Sequence, residues 1–395
     1  MGMAVLIVTY PIYKYNKIGN DSMSEKPVIL FESYPDFSGS PLEIYNELVK
    51  RGYDNKYDLV WAVYDNFNEK TNYKVVKLFN SMSFCQLNAV TKNVLERTKV
   101  IIDSNRYIYK YKNAYRFHAR HGCCLKNSIA YNRNIGMVDG IVTTSKQMLE
   151  VDRKIFPPQI SNKFVITGMP ATDNIFSPKN LYDCGFIKEI TGTDNHYSKI
   201  ISWLPTFRQH RLSPNTGSKK VYPYGLPLIY SPADFDKLND VLKQNNMLLL
   251  VHPHHAQAKN YKQLLNTSNI KFVNEHLKLK YNLANTDILG NSDALITDYS
   301  SAYHEYVILN RPIALAIDDL VEYSKSCGFF VNYLDWIKGD YLLTSNDLSN
   351  WFNDLSKGVD KSKAEREKAL HKIHDNIDNK ATERVVDYIV KNAKI

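Results

Sequence analysis

Asp293-Ala-Leu-Ile-Thr-Asp298-Tyr299-Ser300-Ser301-Ala-Tyr-His-Glu-Tyr306 is the stretch whose reading decides the fold. Four apolar or β-branched residues run into a polar turn, and a helical pattern follows. That is a buried strand feeding a helix, the half-unit of an open α/β sheet. The first turn of such a helix carries unpaired N–H groups and the positive end of a dipole. With the hydroxyls of Thr297, Ser300 and Ser301 beside it, the turn forms a seat for phosphate. A plain serine cap is the simpler alternative reading.

Runs of the same kind recur on both sides of this stretch. In the first half they are Val28–Phe31, Leu59–Val63, Val100–Asp103, Tyr115–Ala119, Gly140–Thr144 and Phe164–Ile166. In the second half they are Ile200–Leu204, Met247–Val251, Ile270–Val273, Ala294–Thr297 and Ile313–Ile317. Short apolar runs alternating with helical patterns predict parallel sheets covered on both faces. The polar stretch Ser177–Ser198 reads as a linker between the two sets, and Asp360–Lys394 reads as charged helix. Ser40-Pro41-Leu42-Glu43 reads as a capping box with Pro at the first helical position. Ligands of doubly wound sheets gather at the carboxyl ends of strands, so the residues that end each run are the site candidates.

Length and composition agree with this reading. The chain has 395 residues, 44% hydrophobic and 23% charged, which fits a globular protein of two domains. No apolar run approaches the roughly 18 residues of a membrane span. Met3–Ile12 is apolar but lacks the basic flank and cleavage site of a signal peptide. It reads either as an added first strand or core segment, or, with Tyr10, Tyr13, Lys14, Tyr15 and Lys17, as a membrane-surface segment. Cys85, Cys123, Cys124, Cys184 and Cys327 are odd in number and form no CxxC pair, which argues against a disulfide framework or a zinc site and for a reducing cytosol. The net charge is +9, of which Lys92–Arg133 supplies +8: ten Lys or Arg against Glu96 and Asp103. Such a cluster attracts anions, whether phosphorylated substrates or an anionic membrane surface. No nucleic-acid motif accompanies it, so nucleic acid is not expected as a partner.

Three further strand ends carry chemistry. His252-Pro253-His254-His255 closes a strand, where a histidine can meet phosphate or nucleotide. No spaced carboxylate or cysteine accompanies it, so metal ligation is disfavoured. Arg120-His121-Gly122-Cys123-Cys124-Leu125-Lys126 follows the run Tyr115–Ala119, and His121 there can act as a general base at neutral pH. A turn histidine is the alternative, and Cys123 reads as a buried small residue. Pro205-Thr206-Phe207-Arg208 closes another strand, and the Arg208 fork suits a phosphate.

Taken in order, these stretches resemble the CDP-glycerol glycerophosphotransferase family of teichoic-acid and capsule synthesis. The likeness runs from about Val28 to Trp351. It is carried by Ile296–Ser301 with Asn310-Arg311-Pro312-Ile313, by Phe31-Glu32-Ser33 and Glu43-Ile44-Tyr45, by His121-Gly122 with Leu125-Lys126, by Pro205–Arg208, and by His252-Pro253. The resemblance implies a GT-B-like α/β fold, two Rossmann-like doubly wound domains facing a central cleft. Residues 1–180 would form the acceptor-side domain and residues 181–372 the donor-binding one. Residues 373–395 would be a C-terminal helix packing back on the first domain.

The implied activity is transfer of glycerol phosphate, or a related polyol phosphate, from a CDP-linked donor to a hydroxyl acceptor, lipid-linked or polymeric, with release of CMP. His121 corresponds to the base and His252 joins it in the catalytic set. Arg208, Lys126, Thr297, Asp298, Ser300 and Ser301 would hold the donor phosphates. No resident cofactor is implied, and the absence of an Asp-x-Asp pair gives no sign of a required metal. The implied location is cytoplasmic, peripheral on the inner face of the plasma membrane. Departures fall on the acceptor side: Arg120, Cys123 and Cys124 flank His121-Gly122 where the family has an aromatic and "TP", and Gly168-Met-Pro-Ala-Thr-Asp173 lacks the family's arginine. The alternative is a glycosyltransferase of the same fold using a nucleotide sugar in surface polysaccharide synthesis. A non-catalytic module on that fold is a third reading, which absence of turnover with every donor would favour.

Overall fold

The computed structural model describes residues 25–64, 67, 71–79, 89–105, 113–123, 125–127, 137–206, 220, 222–253 and 267–395. The apolar runs form two parallel sheets. The first joins β1 (Val28–Phe31), β2 (Asp58–Tyr64), β3 (Lys74–Phe79), β4 (Thr98–Asp103), β5 (Tyr115–His118), β6 (Gly140–Thr143) and β7 (Phe164–Ile166) in the order β3-β2-β1-β4-β5-β6-β7. The second joins β8 (Lys199–Leu204), β9 (Met247–Val251), β10 (Ile270–Phe272), β11 (Ala294–Thr297), β12 (Ile313–Ala316) and β13 (Asp340–Leu342) in the order β10-β9-β8-β11-β12-β13.

Central strands such as Val28-Ile-Leu-Phe31 and Ala294-Leu-Ile-Thr297 are buried at every residue, as strands covered on both faces must be. Leu30 pairs with Val60 on one side and Ile101 on the other, and Ile296 pairs with Trp203 and Ala314. In each sheet the strand order reverses once, between β1 and β4 and between β8 and β11. Crevices at such switch points are where open α/β sheets hold ligands. One apolar core runs through both sheets, taking in Phe31, Ile102 and Phe117 from the first and Leu295, Ile313 and Leu315 from the second.

Four expectations need correction or extension. β3 and β13 were not foreseen, and each is the outermost strand of its sheet. The helix Gly39–Lys50 starts before Ser40, its N-cap is Ser38, and no side chain caps it. Ser40 instead accepts the N–H of Ala171 (3.3 Å), and Glu43 accepts a hydrogen bond from Asn174 Nδ2 (2.7 Å), so both residues hold the segment that leads out of the first sheet. The stretch Ser177–Ser198 contains the helix Phe186–Thr191. Its Leu181, Phe186 and Ile187 are buried with Ile200, Leu248, Leu250 and Ile288 of the second sheet's outer layer. The polar composition hid three apolar anchors.

The charged tail forms the helices Lys363–Ile373 and Ala381–Ala393. The second buries Val385, Val386 and Ile389 in the core that holds Ile44 and Leu48 of the first lobe, and Asp387 pairs with Arg51 (2.5 Å). The N-terminal segment Met3–Ile12 lies outside the described residues. Among the described residues no helix is long and apolar enough to cross a membrane.

Candidate active site between the two sheets

The carboxyl ends of the central strands of both sheets supply the candidate side chains. After β5 the chain passes through Ala119 to Arg120, whose φ of 54° is left-handed. That turn sends Arg120 and His121 in different directions. Arg120 points into the first lobe: its Nη1 binds Asp152 Oδ2 (2.8 Å), which also accepts Thr143 Oγ1 (2.6 Å), and its guanidinium lies 5.2 Å from the centre of the Phe156 ring. Arg120 is thus a buried ion-pair residue. His121 lies at the surface of the loop, with Nδ1 3.3 Å from the carbonyl oxygen of Ser104 at the end of β4.

A carbonyl can only accept, so this contact is a hydrogen bond in the tautomer with the proton on Nδ1, which leaves the lone pair on Nε2. Crowding by the surrounding protein pushes the His121 pKa down to about 4, the Ser104 bond opposes this, and His118 and Arg120 add to the depression. His121 is therefore neutral near pH 7, the form a general base needs.

In the second lobe the strand-to-helix turn divides its residues into two groups. Thr297 donates its hydroxyl to the Leu204 carbonyl (2.9 Å), and both carboxylate oxygens of Asp298 accept the Thr206 N–H (2.9 Å each). Both side chains are fully buried. Thr297 and Asp298 therefore tie β11 to the end of β8. The Tyr333 hydroxyl donates to the Asp298 carbonyl (2.5 Å), and Tyr299 donates to Asp319 (2.8 Å) while stacking on Tyr323 (3.9 Å between centroids).

Ser300 and Ser301 are half-buried and remain the residues able to meet a ligand. The following helix, Ala302–Tyr306, has five residues. Its macrodipole is correspondingly small, so any anion there relies on hydroxyls and individual N–H groups more than on the dipole foreseen from the sequence.

The two lobes meet at this point. A Cβ placed on Gly122 would lie 3.0 Å from Ser301 Oγ. A few residues on, Asn127 donates its N–H to Gly328 (3.0 Å) and Phe330 donates to Leu125 (3.0 Å), with Lys126 bridged to Phe329 between them. The loop bearing His121 and Lys126 is thus joined by main chain to the second lobe.

His252 follows β9, which is separated from β11 by β8, at ordinary strand spacing about 10 Å. Its N–H donates to Trp203, and its Nε2 lies 3.5 Å from Ser202 Oγ, which is 2.8 Å from Ser292 Oγ. Burial, then the nearby Lys278 charge, pushes its pKa down to about 3.

Arg208, His254, His255 and Cys124 lie outside the described residues. Cys123 is buried. Among the described residues no three His, Cys, Asp or Glu side chains gather as a metal site. The basic segment Lys92–Arg133 is less free than its charge suggests: Arg97 binds Asp58 (2.8 Å), Arg116 binds Asp103 (2.8 Å) and Arg120 binds Asp152. Sequence reasoning gave no role to Glu32 or Ser104. The signal was present in Glu32, an acid directly after a wholly apolar strand at the switch point.

A family described as CDP-Glycerol:Poly(glycerophosphate) glycerophosphotransferase matches residues 16–391. The teichoic acid poly(ribitol-phosphate) polymerase of Bacillus spizizenii is 26% identical over 391 residues, covering 93% of this chain and 56% of that protein. The teichoic acid glycerol-phosphate primase of Bacillus subtilis is 30% identical over 214 residues, 54% of this chain and 48% of that protein. The chain therefore spans about half the length of these relatives. The teichoic acid poly(glycerol phosphate) polymerase of Bacillus spizizenii is 24% identical over 372 residues, 87% of this chain and 86% of that protein. The structure of the wall teichoic acid polymerase TagF superposes with a TM-score of 0.69 at 20% identity, covering 93% of this chain and 89% of that one. That likeness shows the fold: GT-B-like, with two parallel Rossmann-like sheets.

Proposed function

The chain belongs to the CDP-glycerol:poly(glycerophosphate) glycerophosphotransferase family, and on that premise we propose that it transfers a polyol phosphate from a CDP-linked donor to a hydroxyl acceptor. The reaction suits the making of a teichoic-acid-like or capsular polymer. His121 Nε2 takes the proton of the acceptor hydroxyl while that oxygen forms a bond to the donor's distal phosphorus. The bond from that phosphorus to the bridging oxygen breaks, and CMP leaves with the electron pair.

Ser300 and Ser301 hold phosphate oxygens through their hydroxyls, and Lys126 and Arg208 supply positive charge. Thr297 and Asp298 keep the serine turn in place. His252 completes the donor side; a phosphate beside it raises its pKa and lets it donate. The observation that supports this reading is the close approach of Gly122, the neighbour of His121, to Ser301 in the serine turn of the second lobe.

A polyol phosphate is preferred to a sugar as the transferred group because the family's own description is of glycerophosphotransfer. The acceptor is a lipid-linked or polymeric hydroxyl, and the protein works on the cytoplasmic face against an anionic membrane. The net positive charge of Lys92–Arg133, with the N-terminal tyrosines and lysines, supports membrane contact.

The test is a donor screen with a hydroxyl-bearing polyol-phosphate acceptor, following CMP or UDP release. CMP from CDP-glycerol or CDP-ribitol is expected. UDP release from UDP-sugars alone would replace the reading with glycosyl transfer, and no release from any donor would favour a binding module.

A further inference from the structure

Glu32 follows β1 at the switch point of the first sheet and is fully buried. Its N–H donates to the Ile102 carbonyl (2.9 Å), continuing the β1–β4 ladder by one residue. Its carboxylate reaches further along the same strand. Oε2 accepts the N–H groups of both Ser104 and Asn105, each at 3.1 Å. Two consecutive amides converging on one anionic oxygen fix the turn that ends β4. Bonds to a charged acceptor are roughly twice as strong as neutral ones, so this clamp is firm. The turn is also tied outward: Asn105 Oδ1 accepts the Tyr34 N–H (3.3 Å) and lies 2.8 Å from Ser104 Oγ.

The consequence falls on the carbonyl between those amides. Ser104 O is the acceptor for His121 Nδ1 at 3.3 Å. Its direction is set by the peptide plane it shares with the Asn105 N–H, and that N–H is held by Glu32. Rotation of this plane would remove that acceptor from Nδ1 and weaken the preference for the Nδ1–H tautomer. Histidine function of this kind depends on what the second ring nitrogen meets.

We infer that Glu32 is a positioning residue for phosphoryl transfer: through the Ser104–Asn105 turn it favours the Nδ1–H tautomer of His121, which leaves the basic lone pair on Nε2. The inference rests on the reading of His121 as the base. The role inferred for Glu32 runs through the Ser104–Asn105 peptide unit.

The experiment combines ¹⁵N-histidine NMR of the full chain with steady-state kinetics on CDP-glycerol, for wild type, Glu32→Gln and Glu32→Ala. Wild-type His121 is expected to carry its proton on Nδ1. In Glu32→Gln the amide oxygen can still accept, but without charge, and kcat should fall about tenfold; in Glu32→Ala the fall should reach about 100-fold, the scale of lost outer-shell support. The tautomer signals should become mixed, while KM for CDP-glycerol changes less than about twofold. A residue that only stabilises the lobe would lower the active fraction and leave the tautomer unchanged. Should Glu32→Ala fail to fold, the wild-type tautomer and Glu32→Gln still decide. A wild-type proton on Nε2, or Glu32→Gln with unchanged rate and tautomer, overturns the inference. The two failures are separable: normal turnover by His121→Ala removes the base reading and this inference with it, whereas an inactive His121→Ala beside an unaltered Glu32→Gln removes the role of Glu32 alone.

Discussion

Gly122 of the first lobe stands against Ser301 of the second so closely that an added Cβ would lie 3.0 Å from Ser301 Oγ and 3.1 Å from its Cβ. Gly122 also has a φ of 153°, a conformation that side-chain-bearing residues rarely adopt. Gly122→Ala therefore meets two penalties, backbone strain and overpacking of about 1–3 kcal/mol. Activity should fall at least tenfold, because the displaced loop carries His121. Ser301→Gly removes both contacting atoms and should recover part of the stability lost in Gly122→Ala, though not the backbone strain. Thermal melts and rates for the two single variants and the double variant measure this coupling; strict additivity would mean that the lobes do not press on each other here.

His121→Ala should abolish transfer while the fold and donor binding stay largely intact. Loss of one general base costs on the order of 10²–10⁴ in rate. The pKa, pushed down to about 4 by the crowding of surrounding protein with His118 and Arg120 adding to it, places the acid limb of the kcat/KM profile well below neutrality. Activity should thus be flat from about pH 6 upward until another group titrates. A folded His121→Ala enzyme with near-normal turnover would remove the assignment.

Much of this was legible in the sequence because central parallel strands advertise themselves. Val28–Phe31, Met247–Val251 and Ala294–Thr297 are apolar at nearly every position, and burial on both faces leaves no other choice. Edge strands follow another rule. Lys74 and Lys77 interrupt β3, and lysine on an edge strand discourages stray pairing at the cost of the apolar signal. At the site, residue type was readable but direction was not. Asp298 and Ser300 are two positions apart on one turn, yet one faces the Thr206 N–H and the other keeps partial access to solvent. Arg120 and His121 are adjacent, and only the left-handed turn at Arg120 shows that one is a core ion pair. Glu43 was read as half of a capping box, whereas its partner is Asn174 across 131 residues of chain.

That displaced glutamate gives a pH prediction. Burial pushes the Glu43 pKa up to about 7; Asn174 opposes this, and Asp287 and Asp173 reinforce it. The folded protein thus holds this proton more tightly than the unfolded chain, for which the value is near 4.5. Stability from this group is fully present below about pH 4.5 and is lost as pH rises toward 7. Glu43→Gln, which keeps an oxygen for Asn174, should equal the wild type near pH 4 and exceed it at pH 8 by about 1–3 kcal/mol. Denaturant melts at the two pH values check this; a variant less stable than wild type at pH 8 would show that the charged form is well accommodated.

Membrane contact is expected to be weak and salt-dependent. Three of the basic segment's arginines are held in ion pairs, which leaves fewer cations for a lipid surface than the net +8 implies. Each basic residue near an anionic leaflet adds roughly 1 kcal/mol, and salt screens the attraction. The protein should float with vesicles containing anionic lipid at low salt and be released at high salt. Failure to bind anionic vesicles at low salt would count against peripheral attachment.

The last expectation separates ligand binding from folding in the serine turn. Ser300 and Ser301 are the half-buried hydroxyls after β11, whereas Thr297 and Asp298 are buried and bond the Leu204 carbonyl and the Thr206 N–H. Ser300→Ala and Ser301→Ala should each weaken CDP-glycerol binding by about 1–3 kcal/mol, as for hydrogen bonds to a charged group. Ser300 Oγ also accepts the Ala302 N–H (3.3 Å), so its loss should lower stability as well, by about 1 kcal/mol, the typical cost of a lost helix cap. Asp298→Asn should act the other way: with one carboxylate oxygen replaced by an amide it should lower the melting temperature and affect donor affinity only as the turn loosens. Calorimetric titration paired with thermal melts of the same three variants tells these apart. If Ser300→Ala and Ser301→Ala lose stability but keep full nucleotide affinity, the donor phosphates rest on other groups, and the turn after β11 is scaffold only.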